Sequence, residues 1–574
     1  MVTWSDVLLW RAAHIETVQD DASAARKAAR EQVQELEAHY NRIASQGLAI
    51  DAMRQALSRV QDELDHAVNA ISAYMLACAE AIDGVRVVEA KVKSALEISE
   101  EIGCTIYDDG SVSIPYIDLS DAVRYGKADV LLGKSNELHM CIADALSIAR
   151  KVDEELRRKL QELAEDRFEQ NGPKEGRHSA SPGLPDDADE SWSPSEVSAW
   201  WGALTDEERQ ACIERDPLKY GNLDGIDMAS RDKANRMALY GYDTGGNASI
   251  RLGSTGLLQQ AQDKFDQAQA AYDDCVGAHG EDSDEAKALK AERDRAGRDL
   301  ADLQKIDERL RKGAGEDGEP VSLLALDTSG EQVKAAVAVG DVDHAQHVAN
   351  FTPGMGTNVR DSLDNYVDVA DRMRTNAADQ TEVKKSGVAV VAWLNYDAPT
   401  DITKTWDTDV ASTEKAHAGA DRLAGFLTGV RSWRDEQGGS LHLTSVSHSY
   451  GSTTAGFAMR QMGEGVVDDH IYLASPGSAA YTVGALGVDP SHVWVSAVPE
   501  GDMVQGMGPD ITFGRNPEQL EGIQHLSGDA TGAQGYDPQP SSPVANHSSY
   551  FAPPKPGERN EAFDDVCRVL GGAK

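Results

Sequence analysis

Basic residues are in short supply in this sequence. Lys and Arg number 55 against 96 Asp and Glu, a formal net charge of −41 over 574 residues. So acidic a surface repels phosphate backbones and anionic lipid headgroups, which argues against nucleic acid as a partner; its plainest consequence is solubility. Cysteine is also sparse. The six residues (Cys78, Cys104, Cys141, Cys212, Cys275, Cys567) show no C-x-x-C spacing, so neither a zinc site nor a disulfide framework is suggested. Reduced thiols in an intracellular protein fit this usage, with pairing among Cys78, Cys104 and Cys141 left open. Long apolar runs are missing too. No stretch approaches about 18 uninterrupted apolar residues, so no transmembrane helix is expected. The opening MVTWSDVLLWRAAHIETVQDD lacks a basic segment followed by an apolar one, so no cleaved signal peptide is expected. The expected location is the cytoplasm, or outside the cell by export without a cleaved signal.

What is present is enough for several domains. The chain is 40% hydrophobic and 26% charged, a globular composition with polar segments. Residues 1–168 read as long helices: Leu48, Met53, Leu57, Val60, Leu64, Val68, Ile71, Met75, Ala79 and Ile82 recur at helical spacing. The stretch CTIYDDGSVSIPY (104–116) reads as a small hairpin turning on Asp-Asp-Gly. Residues 169–192 are rich in Gly, Pro, Ser and Asp and read as a flexible linker. Residues 193–318 read as a helical segment attached to the α/β region beyond it. The segment opens on a capping box, Ser193 with Glu196 around Pro194, and ends in a charged helical hairpin (256–278 and 282–312). From 319 to 574 the pattern alternates. Apolar runs at 321–327, 333–340, 347–351, 388–394, 441–447, 470–475 and 492–498 are strand-like, and helices fit at 358–376, 411–434 and 452–463. Apolar strands separated by helices predict a mainly parallel sheet covered on both faces. The first two runs are too close for a crossover and should pair antiparallel at the sheet edge. The expected fold class is α/β, an α/β-hydrolase fold preceded by an all-α helical-hairpin domain and a helical insertion.

Within that sheet, TSVSHSYGSTTAG (444–456) places Ser449 between a strand-like run and a helix, the setting of a nucleophile elbow, G-x-S-x-G. Ser447 stands where the first glycine is usual. A serine hydroxyl needs a histidine to take its proton and a carboxylate to hold that histidine's tautomer. In the order Ser, acid, His, the acid is expected at Asp502, with Glu500 as runner-up. The base is expected at His547 in ANHSSYF, with His525 as the alternative. His448 should point away across the turn, packed or hydrogen-bonded. Glycines let backbone N–H groups approach an anion closely. The oxyanion donors are therefore assigned to the N–H of Tyr450 and one at Gly354 or Met355, in the loop of HVANFTPGMGTNV (347–359). Met355, Trp393, Tyr396 and Met503 are candidates for an acyl pocket, Trp393 being the one best explained as core. No metal or organic cofactor is called for.

The blocks WWGALTDEERQACIERDPLKYGNLDGIDMASRDKANRMAL (200–239), VANFTPGMGT (348–357), VAVVAWLNYDAP (388–399), SVSHSYGSTTAG (445–456) and HSSYF (547–551), in this order, resemble an actinobacterial α/β-hydrolase family catalogued as a domain of unknown function. The resemblance spans roughly 190–555. It implies the triad Ser449, Asp502 and His547, and marks Ser447 as a departure from the usual Gly-His-Ser-Tyr-Gly. More loosely, the N-terminal helices are similar to the Trp-x-Gly helical-hairpin proteins handled by type VII secretion. Trp200-Trp201-Gly202 and the Tyr-x-x-x-Asp of YGNLD fit those signals in letters but fall inside the hydrolase blocks.

Two functions are expected on these grounds. The first is a serine hydrolase cleaving carboxylic esters, lipase- or esterase-like, on a small-molecule or lipid ester. The second is a secretion-associated interaction protein whose hydrolase domain is secondary or inert, its long helices pairing with a helical-hairpin partner or a second copy.

Overall fold

The computed structural model describes residues 2–43, 47–113, 128–164, 187–189, 191–241, 255–315, 318–381, 383–400 and 412–573. The predicted linker 169–192 lies largely outside them. The chain divides into two compact units, Met1–Ala211 and Cys212–Lys574. Among the described residues no helix is long and apolar enough to cross a membrane. None of the six cysteines is in a disulfide, so the pairing left open for Cys78, Cys104 and Cys141 does not occur.

The first unit is built on helices Ala12–Arg42, Leu48–Ile102 and Ala128–Ala164. Trp4, Val88, Val92, Ile98, Leu138 and Ile142 fill the core between them. The predicted hairpin is present: β1 (Thr105–Ile106) pairs antiparallel with β2 (Val112–Ser113), and Gly110 takes the left-handed turn conformation at φ 83°. The capping box at Ser193 and Glu196 starts the helix Pro194–Ala203. That helix packs on the long ones: Ser195 Oγ donates to Asp83 at 2.6 Å, and Lys159 Nζ bridges Glu80 and Glu196, each at 2.7 Å. It also contacts the helix after it, Asp206–Arg215, whose Arg209 Nε donates to Trp201 O at 2.9 Å.

The second unit is an α/β sandwich. Its sheet has eight strands in the order β10-β9-β8-β7-β5-β6-β4-β3. The strands are β3 (Val321–Asp327), β4 (Lys334–Val339), β5 (His347–Thr352), β6 (Val388–Leu394), β7 (His442–His448), β8 (Asp469–Leu473), β9 (Val493–Ser496) and β10 (Gln524–His525). β4 runs antiparallel to both neighbours, β3 and β6, and every other pairing is parallel. The expected antiparallel edge is therefore present; the two-residue strand β10 at the far edge is an addition.

Helices Val359–Thr381 and Glu561–Leu570 cover one face, burying Phe351, Val390, Val446, Ile471 and Phe563. Helices Glu414–Glu436 and Tyr450–Met459 cover the other, burying Val391, Trp393, Leu443, Tyr472 and Phe426. Strands buried on both faces must be apolar throughout, and β6 is VAVVAWL with every residue buried.

The outer edge of β3 exposes unpaired backbone groups, which a sheet must cover. Residues 222–236 do so with side chains. Asn222 bonds both the N–H and the C=O of Leu326, Asp232 accepts from Leu323 N–H, and Arg231, Asn235 and Arg236 donate to the carbonyls of Leu324, Leu323 and Val321. This is the local reason for the sequence NLDGIDMASRDKANR, and it gives the letters of YGNLD a structural use.

Candidate active site

The chain runs from β5 outward to β6 and then returns to β7 on the other side of β5. In an open α/β sheet such a reversal leaves a crevice beyond the carboxyl ends of the two strands, the usual position of a site. The loop after β5 carries Gly354, and the turn after β7 carries Ser449.

Ser449 has φ 56° and ψ −135°, a conformation costing a non-glycine residue about 1–3 kcal/mol. It joins β7 directly to the helix Tyr450–Met459, and its N–H donates to Leu473 O of β8 at 3.0 Å. The flanking small residues have measurable reasons. A Cβ on Gly451 would lie 2.2 Å from Pro353 O, and one on Gly354 would lie 2.5 Å from Ser449 Cβ and 2.9 Å from its Oγ. The two loops touch backbone to side chain, with no room for a methyl group. Ser447, the departure from glycine, is fully buried and donates from Oγ to Ile471 O at 2.9 Å. Its added hydroxyl is satisfied by the neighbouring strand.

Asp502 and His547 come from loops after β9 and near the end of the unit. His547 Nδ1 donates to Asp502 Oδ1 at 2.8 Å, which leaves Nε2 as the ring's basic nitrogen. The other carboxylate oxygen accepts from the Tyr550 hydroxyl at 2.7 Å, while Tyr550 accepts from Val498 N–H at 2.8 Å. Burial pushes the Asp502 carboxyl upward. The hydrogen bond and charge of His547 and the Tyr550 hydroxyl outweigh it and hold the group below its ordinary value. Asn546 fastens the two loops: its N–H donates to Gly501 O, and its side-chain amide donates to Glu500 O and Asp537 O. Of the alternatives, Glu500 is exposed, and His525 is exposed on β10.

His448, adjacent to Ser449, is buried, and its ring lies against that of His547. Its Nε2 donates to the His547 carbonyl at 2.8 Å, and the two rings lie 4.6 Å apart. Nδ1 is therefore unprotonated and meets no partner among the described residues. Burial, then the neighbouring His547, pushes His448 down to about 3, so the ring is neutral.

In the loop after β5, the Gly356 N–H is taken up by Pro399 O and Tyr396 Oη donates to Pro353 O at 2.7 Å, so the glycine loop is pinned from both ends. Trp393 and Tyr396 are buried and stacked on each other; Tyr396 supports this loop through its hydroxyl and also lines a cavity with Asp397, Ser412, Glu414 and Gly419. Met355 is partly buried against the core, and Met503 is exposed. Among the described residues no group of three or more His, Cys, Asp and Glu side chains is arranged to hold a metal ion.

Sequence reasoning missed three supporting residues: Tyr550, Asn546 and the role of His448. The one signal in the chain was the proximity of Asn546 and Tyr550 to His547.

A mixed sheet of this order, with a strained serine between strand and helix, defines the α/β-hydrolase class. The profile of a family described as Alpha/beta hydrolase matches residues 328–512. The chain is 32% identical over 235 residues to the uncharacterized protein Mb0988c of Mycobacterium bovis, covering 40% of this chain and 83% of that protein. It is 28% identical over 340 residues to the uncharacterized protein Rv2079 of Mycobacterium tuberculosis, covering 57% of this chain and 47% of that protein. It thus spans about half the length of the latter relative. A dienelactone hydrolase structure from Anabaena variabilis aligns with 40% of this chain and 94% of its own at 16% identity and a TM-score of 0.22, a likeness too slight to carry inference. The chain belongs to this α/β-hydrolase family.

Proposed function

We propose that the protein is a serine hydrolase acting on carboxylic esters, with Ser449 as nucleophile, His547 as general base and acid, and Asp502 as the residue that orients His547. The observation that carries this reading is the strained Ser449 turn packed against the Gly354 loop, in a unit where His547 is already bound to a buried carboxylate.

In this mechanism Ser449 Oγ attacks the ester carbonyl carbon as His547 Nε2 takes its proton. Asp502 stabilises the imidazolium that forms. The oxyanion is held by the N–H of Tyr450 and that of Gly354 or Met355, a class of contact worth roughly a hundredfold or more in rate per donor. Collapse of the tetrahedral intermediate expels the alcohol, protonated by His547. Water activated by the same ring then attacks the acyl-enzyme, releases the acid and restores Ser449. The chemistry needs no cofactor.

A fluorophosphonate probe tests the assignment. The wild-type protein should be labelled at one serine, and labelling should vanish in Ser449→Ala. Labelling that persists in that variant, or fails in the folded wild type, rejects it.

A further inference from the structure

Large apolar side chains are seldom left in water without a reason, and a contiguous group of them marks a contact surface. Among the described residues of Cys212–Lys574, the exposed large apolar side chains are Leu218, Tyr240, Met503, Met507, Ile511 and Val544. The last four flank the candidate site. Met503 follows Asp502 directly, and Val544 lies three residues before His547. Met507 is 67% exposed and Ile511 88%.

The backbone beneath them is tied down. Met503 N–H donates to Pro543 O at 2.9 Å, which sets Met503 beside Val544. Gly506 and Gly508 N–H donate to Ser475 O and Pro476 O at 2.7 and 2.9 Å, and Gly508 lies against Phe513 of the short helix Asp510–Phe513 that carries Ile511. These side chains therefore stand on an anchored ridge.

Charge separates this ridge from the rest of the molecule. In a chain that is 26% charged, residues 503–509 and 538–549 contain no Asp, Glu, Lys or Arg; the exposed Asp510, beside Ile511, is the one charged residue between Met503 and Ile511. A ridge whose one flanking charge is the carboxylate of Asp510, on a protein of net charge −41, suits a neutral apolar phase and is set against an anionic one. Whatever rests on the ridge also rests beside Asp502 and His547. A protein seated there would obstruct the site, whereas a lipid phase would deliver acyl chains to it.

We infer that Met503, Met507, Ile511 and Val544 form a docking ridge for the surface of an electrically neutral lipid ester aggregate, which is the substrate in the form the site receives it. This rests on the serine-hydrolase reading above and adds the class of ester and its physical state.

The test uses the full chain and the double variant Met507→Ser/Ile511→Ser. Two activities are compared: p-nitrophenyl acetate below its solubility limit, and an emulsion of neutral triacylglycerol. Binding is read separately by flotation with phosphatidylcholine vesicles. The wild type should float, and its rate on a triacylglycerol should rise abruptly where the substrate passes its solubility limit. The double variant should lose about tenfold or more on the emulsion and lose flotation, the scale of two apolar side chains withdrawn from a lipid surface, with soluble-ester turnover and fluorophosphonate labelling unchanged. A variant that still floats and keeps its emulsion rate overturns the inference. So does a wild type that neither floats nor responds to the interface. Ser449→Ala separates the two readings: it should float like the wild type while turning over neither ester. Flotation by a protein that no probe labels would reject the hydrolase reading and leave the ridge standing.

Discussion

At the scale of single residues, the candidate site depends on side chains beyond Ser449, Asp502 and His547. Tyr550 gives its hydroxyl proton to Asp502 while its oxygen accepts from Val498 N–H. Tyr550→Phe removes one bond to a charged carboxylate and strands a buried N–H. The expected result is a fall in kcat of about tenfold or more, the worth of one hydrogen bond to a charged group, with little change in KM. Steady-state kinetics on a soluble ester measure it, and an unchanged kcat would show that His547 alone fixes the carboxylate. Tyr550 illustrates where sequence ran out. Asp502 and His547, which are hydrogen-bonded here, are proposed from their order along the chain and their position after a strand or near its end. Tyr550 matters because folding brings it to a carboxylate 48 residues away, and no spacing rule marks that. Ser447 is the converse case. Its departure from glycine was visible in the sequence, but the Ile471 carbonyl that satisfies its hydroxyl was not.

Between elements, the decisive fit is loop against turn. Gly354 and Gly451 each face backbone or side-chain atoms at distances no Cβ tolerates. In Gly354→Ala the glycine loop or Ser449 must shift by several tenths of an ångström or more, and displacements of about 1 Å cost roughly a hundredfold in turnover. The expected outcome is loss of fluorophosphonate labelling with the circular dichroism spectrum of the wild type. Normal labelling would count against the Gly354 loop as part of the site. At this scale much of the architecture was legible. The strands from 321 to 448 stand out because continuous apolar runs are bounded by turn residues, and the helices that follow β5, β6 and β7 supply the crossovers that parallel pairing requires. β10 was not legible, because two residues added at a sheet edge carry no periodicity. The helix Pro194–Ala203 was legible through its cap, but its packing partners were not, since a cap is local and a packing surface is not.

For the molecule as a whole, two pairs of buried groups act on stability against acid in opposite directions. Burial pushes His448 and His470 down to about 3 from 6.5. As pH falls through this interval the unfolded chain takes up protons that the native state refuses, and each group costs up to about 1.4 kcal/mol per pH unit. Burial raises Asp302 and Asp343 from 3.8 to about 6. Between those values the native state holds protons that the unfolded chain releases, so these two groups add stability as pH falls. Over that interval the two pairs oppose each other, and below it the histidines act alone. Denaturant midpoints should therefore vary little with these groups from pH 6 to about 4 and drop more steeply below. In Asp302→Asn/Asp343→Asn the decline should begin near pH 6. Parallel wild-type and variant curves across that range would contradict the assignment.

The helix Glu561–Leu570 has a consequence in time. It comes after Ser449, Asp502 and His547 in the chain, yet Phe563, Val566, Cys567 and Leu570 belong to the core beneath β5 and β7, the strands from which the Gly354 loop and Ser449 project. A folding polypeptide in which all three residues have been synthesised still lacks one wall of this sheet until the helix docks. The candidate site should thus form abruptly, once this helix has docked, rather than grow step by step along the chain.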